Sequence, residues 1–180
     1  LDIIINNAGV GLGVTFEEMS IEDFEWLMNI NFWGVVYGCK AFLPLVKRAK
    51  IGHIVNISSV FGMVSLPTVS AYNASKFAVR GFTESLRQEL GRTSVHVCCV
   101  HPGGIDTNIA LNSRGTINEM SREEKAERFK KVARTSPEYA ARRIAKAIHK
   151  KKNRLLIGVD AHFISAISRL FPISYSRILS

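Results

Sequence analysis

The chain has 180 residues, 47% of them hydrophobic and 22% charged, with a formal net charge of +9. That length fits one domain with a substantial core, so residues 1–180 are expected to form a single unit. No apolar run is long enough for a transmembrane helix, and the N-terminus lacks the basic start and cleavage pattern of a signal peptide.

Residues 2–6, DIIIN, form a short apolar run of the kind that becomes a buried parallel strand, followed by Asn6-Asn7-Ala8-Gly9. Ser20 with Asp23 resembles a capping box and opens a long helix predicted over about 21–48. Inside it Asn31, followed by Phe32-Trp33-Gly34, is an odd interior residue because asparagine has poor helix propensity. HIVNIS, 53–58, reads as a second buried strand running into Ser58-Ser59. A helix is predicted over about 70–91, with Ala71, Ala74, Ala78, Phe82, Leu86 and Leu90 on its apolar stripe. Tyr72 and Lys76 lie one turn apart on that helix and share a face, which is expected to turn away from the stripe. SVHVCCV, 94–100, is a third strand, closed by Pro102-Gly103-Gly104.

Ser121 with Glu124 starts a charged helix to about Ala133, and Ser136-Pro137-Glu138 starts another to about Lys150. RLLIGV, 154–159, is a fourth strand. From Arg122 to Arg154 there are thirteen Lys or Arg against four Glu, a surplus equal to the whole net charge. Solvated helix faces are the plain reading; an anionic partner, such as a membrane surface or a phosphate-bearing ligand, is the other. No aromatic residues alternate with the basic ones, so no nucleic-acid partner is expected. Phe163, Ile164, Ile167, Leu170 and Phe171 then recur at helical spacing, with Arg169 and Arg177 interspersed, until Pro172 breaks the run. Packing on the domain or a second subunit fits this pattern, and so does peripheral contact with a membrane. Cys39, Cys98 and Cys99 have no metal or disulfide spacing, which points to an intracellular, cytoplasmic setting, with membrane association left open.

Strands alternating with helices give an α/β fold: a Rossmann-like, doubly wound parallel sheet covered on both faces. Ligands of such sheets sit beyond the carboxyl ends of the strands. Asn6 to Gly9, Ser58-Ser59 and Pro102 to Gly104 collect there. A tyrosine ordinarily titrates near 10, and a neighbouring ammonium group lowers that value. Lys76 is placed to do this for Tyr72, which could then move a proton to or from an alcohol or carbonyl oxygen. Ser59 offers a hydroxyl to hold the same oxygen, and the Asn31 side chain could order a water linking Lys76 to solvent. Taken singly, each residue is a cap, a kink, a turn or a solvated charge. Their occurrence together, in order, changes the odds.

These residues resemble the classical short-chain dehydrogenase/reductase family of nicotinamide-dependent alcohol and carbonyl oxidoreductases. Asn6 to Gly9 matches its NNAG, Asn31 to Gly34 its NFxG-type segment, and Ile57 to Ser59 its ISS segment. Tyr72-x-x-x-Lys76 follows Ser59 at the family's usual gap of 13 residues, then comes Pro102-Gly103 with Thr107. The resemblance implies that Tyr72 is the catalytic acid/base, that Lys76 lowers its pKa and binds the nicotinamide ribose, and that Ser59 orients the substrate oxygen. Asn31 would hold the relay water. Asn7, Ala8 and Gly9 would line NAD or NADP, with Pro102, Gly103, Ile105 and Thr107 at the nicotinamide end. A small alcohol or ketone substrate is implied, and a homo-oligomer at full length. Phe61, Met63, Val64, Leu66, Pro67, Ile105, Ile109 and Leu111 lie where they would cover it, favouring a lipophilic substrate.

One departure is clear. The family's Gly-rich pyrophosphate turn has no counterpart here. By resemblance the chain begins at the fourth strand of a seven-strand sheet, a C-terminal portion only, without the residues that separate NAD from NADP. Its first strand is then expected to have a bare edge. Such a chain alone is expected to bind dinucleotide poorly and turn over little. An epimerase or dehydratase of the same superfamily is one other reading, and a non-catalytic dinucleotide-binding module is another. The full set Asn31, Ser59, Tyr72 and Lys76 favours hydride transfer over both.

Overall fold

In the computed structural model, which describes residues 1–115 and 121–179, four parallel strands lie side by side in chain order. They are β1 (Ile3–Asn6), β2 (Gly52–Ile57), β3 (Val95–Pro102) and β4 (Arg154–Ile157). The register sets Ile4 opposite Ile54, Val55 opposite Cys98 and Val100 opposite Leu155. Around them run α1 (Ile21–Met28), α2 (Gly34–Val46), α3 (Ser70–Glu89), α4 (Arg122–Val132), α5 (Pro137–His149), α6 (Val159–Leu170) and the short α7 (Tyr175–Leu179). The parallel α/β architecture expected from the alternation of strands and helices is present.

Strand side chains alternate between faces. Ile54, Val95 and Val97 pack with Val35, Cys39 and Val46 of α2 and Val79 and Leu86 of α3. Their neighbours Val55, Cys98 and Val100 turn the other way, onto Ala140 and Ala147 of α5. α6 seats Ala161 against Val60 and Met63, just beyond β2. β1 has only β2 as a strand partner among the described residues, and its Ile3 and Ile5 are 42% and 46% exposed. This is the bare edge anticipated above.

Two expectations need correction. The helix predicted over 21–48 is not one α-helix: residues Asn29–Trp33 form a π-helical segment between α1 and α2, and Gly34 N–H reaches back five residues to Asn29 O. Such segments recur at functional sites, and this one turns Asn31 fully inward. The buried side of α3 is only partly the predicted stripe: Ala71, Leu86 and Leu90 are buried and Phe82 packs on the core, but the face extends beyond them. Ala74 is exposed, whereas Ala71, Ser75, Lys76, Val79, Thr83 and Leu86 are buried. The inner face thus reaches round to Tyr72 and Lys76, which lie on it rather than away from it. The reason is polar: carbonyl and amide groups at the sheet end accept what an apolar stripe could not.

The caps agree with the sequence. Ser121 and Glu124 make a reciprocal capping box, and Ser136 accepts from Tyr139 N with Pro137 at the first position. Ser20 accepts from Asp23 N, but Asp23 turns its carboxylate to Arg114 instead of closing a box. Within the basic block, the side chains of Arg122, Glu123 and Lys125 lie outside the described set.

Candidate active site

Three chain segments meet at the carboxyl ends of β1, β2 and β3, and the N-terminal half of α3 crosses over them. β1 delivers Asn6, whose side chain turns into the sheet-helix layer and donates to Asn56 Oδ1 at 2.8 Å. Asn56 in turn donates to Thr83 Oγ1 at 3.0 Å, and Thr83 donates to Val79 O at 2.6 Å. This buried file ties β1, β2 and α3 together below the site. Gly38 makes room for it, because a Cβ there would run into the Asn6 amide. Asn7, Ala8 and Gly9, by contrast, are exposed, and form a shelf with almost no side chain on it.

Asn31 stands behind that shelf, 0% exposed. Its Oδ1 accepts from Val10 N at 2.8 Å, while its Nδ2 donates to Val10 O at 3.0 Å and to Ser75 Oγ at 3.2 Å. The amide thus clamps the loop after β1 to α3. A Cβ placed on Gly9 would lie 3.4 Å from both Asn31 Oδ1 and Lys76 Nζ. These two polar atoms therefore lie close beside the Gly9 backbone.

Lys76 is 3% exposed and its ammonium donates to Ile57 O at 3.2 Å. Burial pulls its pKa down to about 8. Its Nζ lies 5.6 Å from the centroid of the Tyr72 ring. Ser58 Oγ donates to Lys76 O at 2.8 Å, and Gly62 permits that approach, since a Cβ there would strike both groups. Tyr72 packs edge-on to Phe61, with centroids 6.2 Å apart. Burial pushes its phenol above the ordinary value, and hydrogen bonding with the Ser59 side chain draws it back. Lys76 Nζ meanwhile is turned to Ile57 O.

Ser59 holds an extended backbone and caps the short 3-10 turn Val60–Gly62, its Oγ accepting from Phe61 N at 3.1 Å. Its carbonyl is met at 3.0 Å by Nδ1 of His101, a fully buried residue of β3 whose pKa burial holds down to about 4. A neutral ring donating from Nδ1 fits that contact. After His101 the chain turns through Pro102 and Gly103, both half-buried, and Gly104 N donates to Asp160 Oδ2 at 2.7 Å. A Cβ on Gly103 would collide with the Asp160 carboxylate. Ile105 packs at the edge of the α5 core, and Thr107 is exposed.

The structure therefore gathers Gly9, Asn31, Ser59, Tyr72 and Lys76 around one end of the sheet, with Asn7 and Ala8 on the shelf beside them. Among the apolar residues expected over the site, Met63 and Val64 are core, 7% and 1% exposed. Phe61, Leu66 and Ile109 are half-buried, and Pro67 and Leu111 are exposed. The sequence reading missed Asn56, Ser75, Thr83 and His101. An asparagine in the middle of a β-branched strand was the available signal for Asn56, because asparagine is depleted in strands. No group of three or more His, Cys, Asp or Glu among the described residues could hold a metal ion.

Comparison with known proteins places these features in a family. The short chain dehydrogenase profile matches residues 1–118. SadH of Mycobacterium tuberculosis, whose name assigns it to the oxidoreductases, is 44% identical over 180 residues, covering 98% of this chain and 65% of its own length. The 3-ketodihydrosphingosine reductase of Bacteroides thetaiotaomicron is 42% identical over 121 residues, 67% of this chain and 44% of that protein. A short chain dehydrogenase/reductase from Burkholderia phymatum, crystallised with NAD, superposes with a TM-score of 0.85 at 28% identity, covering 97% of this chain and 66% of that one. A short chain dehydrogenase from Burkholderia cenocepacia, crystallised with NADP, gives 0.81 at 25% identity over 100% of this chain and 69% of that one. The chain thus spans about two thirds of the length of SadH.

Proposed function

This chain belongs to the short-chain dehydrogenase/reductase family, and from that premise we propose that it carries the proton-transfer site of an oxidoreductase acting between NAD or NADP and a lipophilic alcohol or ketone. The observation that carries the reading is the convergence of Ser59, Tyr72 and Lys76 at the strand ends, beside the bare shelf of Asn7, Ala8 and Gly9. The shelf suits a flat ring and its ribose, because Ala8 and Gly9 carry little side chain and Gly9 lies close to Lys76 Nζ. Bound nicotinamide would supply or accept the hydride.

The chain's own residues do the rest. Asn7, Ala8 and Gly9 line the cofactor, and Lys76 donates to its ribose. Pro102, Gly103, Ile105 and Thr107 bound the nicotinamide end. Ser59 Oγ holds the substrate oxygen, and Tyr72 Oη gives or takes the proton at that atom. Burial keeps the phenol protonated in the resting site, which suits proton donation to a carbonyl. Asn31 positions the loop behind Lys76. The relay water expected of Asn31 would link Lys76 to solvent. Residues 1–180 act as one domain, and the complete protein is a homo-oligomer, in keeping with the exposed stack of Trp33, at the end of the π-helical segment, on Tyr37 of α2.

A lipophilic substrate is supported by Phe61 against the Tyr72 ring, by the apolar Leu66, Ile109 and Leu111 expected over the site, and by the 3-ketodihydrosphingosine reductase among the relatives. The C-terminal segment makes peripheral contact with a membrane. Neither the epimerase or dehydratase reading nor the non-catalytic module is favoured by the relatives' names or by the intact residue set. The test is titration with NADH and NADPH, followed by turnover of long-chain ketones, with Tyr72→Phe alongside. Tyr72→Phe should bind cofactor as the parent does and lose about 10²–10⁴-fold in turnover. A Tyr72→Phe protein that turns over like its parent sinks the assignment.

A further inference from the structure

We infer that the outer edge of the sheet, formed by β4 with the flanks of α5 and α6, is a docking face for an anionic lipid surface. The inference rests on the membrane contact proposed above and gives it a location and a chemistry. It does not depend on the hydride-transfer reading.

Along α5, Tyr139, Arg143, Lys146 and Lys150 recur at helical spacing and so share one flank. Arg143, Lys146 and Lys150, with Lys152 and Leu155, border a cleft of about 290 Å³ beside β4. Arg143 also borders a second, open cleft of about 510 Å³ with Arg134, Val159 and His162. Neither lining contains a carboxylate. The carboxylate of Asp160, next to Val159 in the chain, is held by Gly104 N. A row of cations therefore runs from Lys152 to Arg134 without internal compensation.

The second cleft joins this row to α6. Val159, Phe163 and Leu170 are 88%, 59% and 73% exposed and fall on one stripe of that helix. His162, between them on the same side, is exposed as well. Past the helix end Ile173 is 91% exposed. An apolar stripe flanked by flexible cations is what an interfacial segment presents to a membrane: the stripe enters the acyl boundary while lysine stems lie along it with their ammonium groups at the headgroups. Anionic headgroups supply the charge that this face lacks. A second copy of the chain does not, since a two-fold contact would set the same cations against each other.

Flotation of the 180-residue chain with vesicles decides the matter. The expected result is binding to phosphatidylcholine–phosphatidylserine vesicles, little to phosphatidylcholine alone, and release as salt is raised. Charge reversal at two exposed sites, Lys146→Glu with Lys150→Glu, should weaken binding at least about tenfold, as each cation near an anionic surface contributes on that scale. Phe163→Ser with Leu170→Ser should remove whatever binding survives high salt. Circular dichroism of both variants should match the parent, because all four side chains are exposed. The proposal falls if the parent does not float with anionic vesicles, or if the charge-reversed chain floats undiminished. It also falls if the face instead drives concentration-dependent self-association that these substitutions abolish. Tyr72→Phe should float like the parent, so a failed catalytic assignment and a failed docking face give different results.

Discussion

α3 and α5 both pack on this sheet, yet they handle charge and polarity in opposite ways. α3 buries Asn73, Ser75, Lys76 and Thr83 on its inner side, whereas α5 buries only Ala140 and Ala147 and keeps its cations outward. On α3, Ser75 is met by Asn31, Lys76 by Ile57 O and Thr83 by Asn56, while Asn73 donates to Leu66 O and leaves its Oδ1 without a partner. A buried polar group is costly unless it is paired, and removing the partner leaves the full desolvation cost behind. The contrast teaches where this molecule can be altered. The site end is a tightly coupled polar cluster, and the β4 edge is a surface of independent charges.

Breaking the clamp at the site should have the largest effect. Asn31→Ala leaves Val10 N–H and C=O without their side-chain partner, and about 3 kcal/mol should be lost in urea unfolding. A loss below about 1 kcal/mol would show that the loop after β1 does not depend on Asn31.

The next effect is acid sensitivity. Burial holds His101 at about 4 against an ordinary 6.5, so between those values the unfolded chain binds a proton that the folded chain does not. Stability is then complete above pH 6.5 and falls as the pH drops toward 4. His53, also lowered by burial, acts in the same direction. His101→Gln should flatten the melting temperature across that window, removing about 2–3 kcal/mol of pH dependence. An unchanged slope would mean that another group controls it.

A smaller change isolates the buried file below the site. Thr83→Val keeps the shape but removes the acceptor for Asn56, and should cost about 1–2 kcal/mol by urea titration. The smallest effect belongs to the other region. Lys146→Ala and Lys150→Ala should each leave stability within about 0.5 kcal/mol, because neither side chain is buried. If these cost as much as Thr83→Val, the distinction between coupled and independent regions is wrong.

Much of this was legible in the sequence. The strand runs, the capping serines Ser121 and Ser136, and the ordered set Asn31, Ser59, Tyr72 and Lys76 are local features, and local features survive folding. The inner face of α3 was only partly read: Ala71, Leu86 and Leu90 are buried as expected, but the polar half of the face was missed. Periodicity weighs side chains by apolarity and cannot know that Ile57 O and Asn56 await Lys76 and Thr83. The π-helical register at Asn31 was hidden for the same reason. It is fixed by the clamp onto Val10 and Ser75, which lie 21 and 44 residues away in sequence.

By itself, then, the sequence determined the α/β class, the order of the elements and the identity of the proton-transfer candidates, because these depend on residue type and short spacing. Tertiary structure alone decided which polar groups are buried and which pKa values move. It set the Lys76 ammonium on Ile57 O, and it joined the α5 cations to the exposed stripe of α6. Burial and partnership are properties of what the rest of the chain brings close, and no local spacing encodes them.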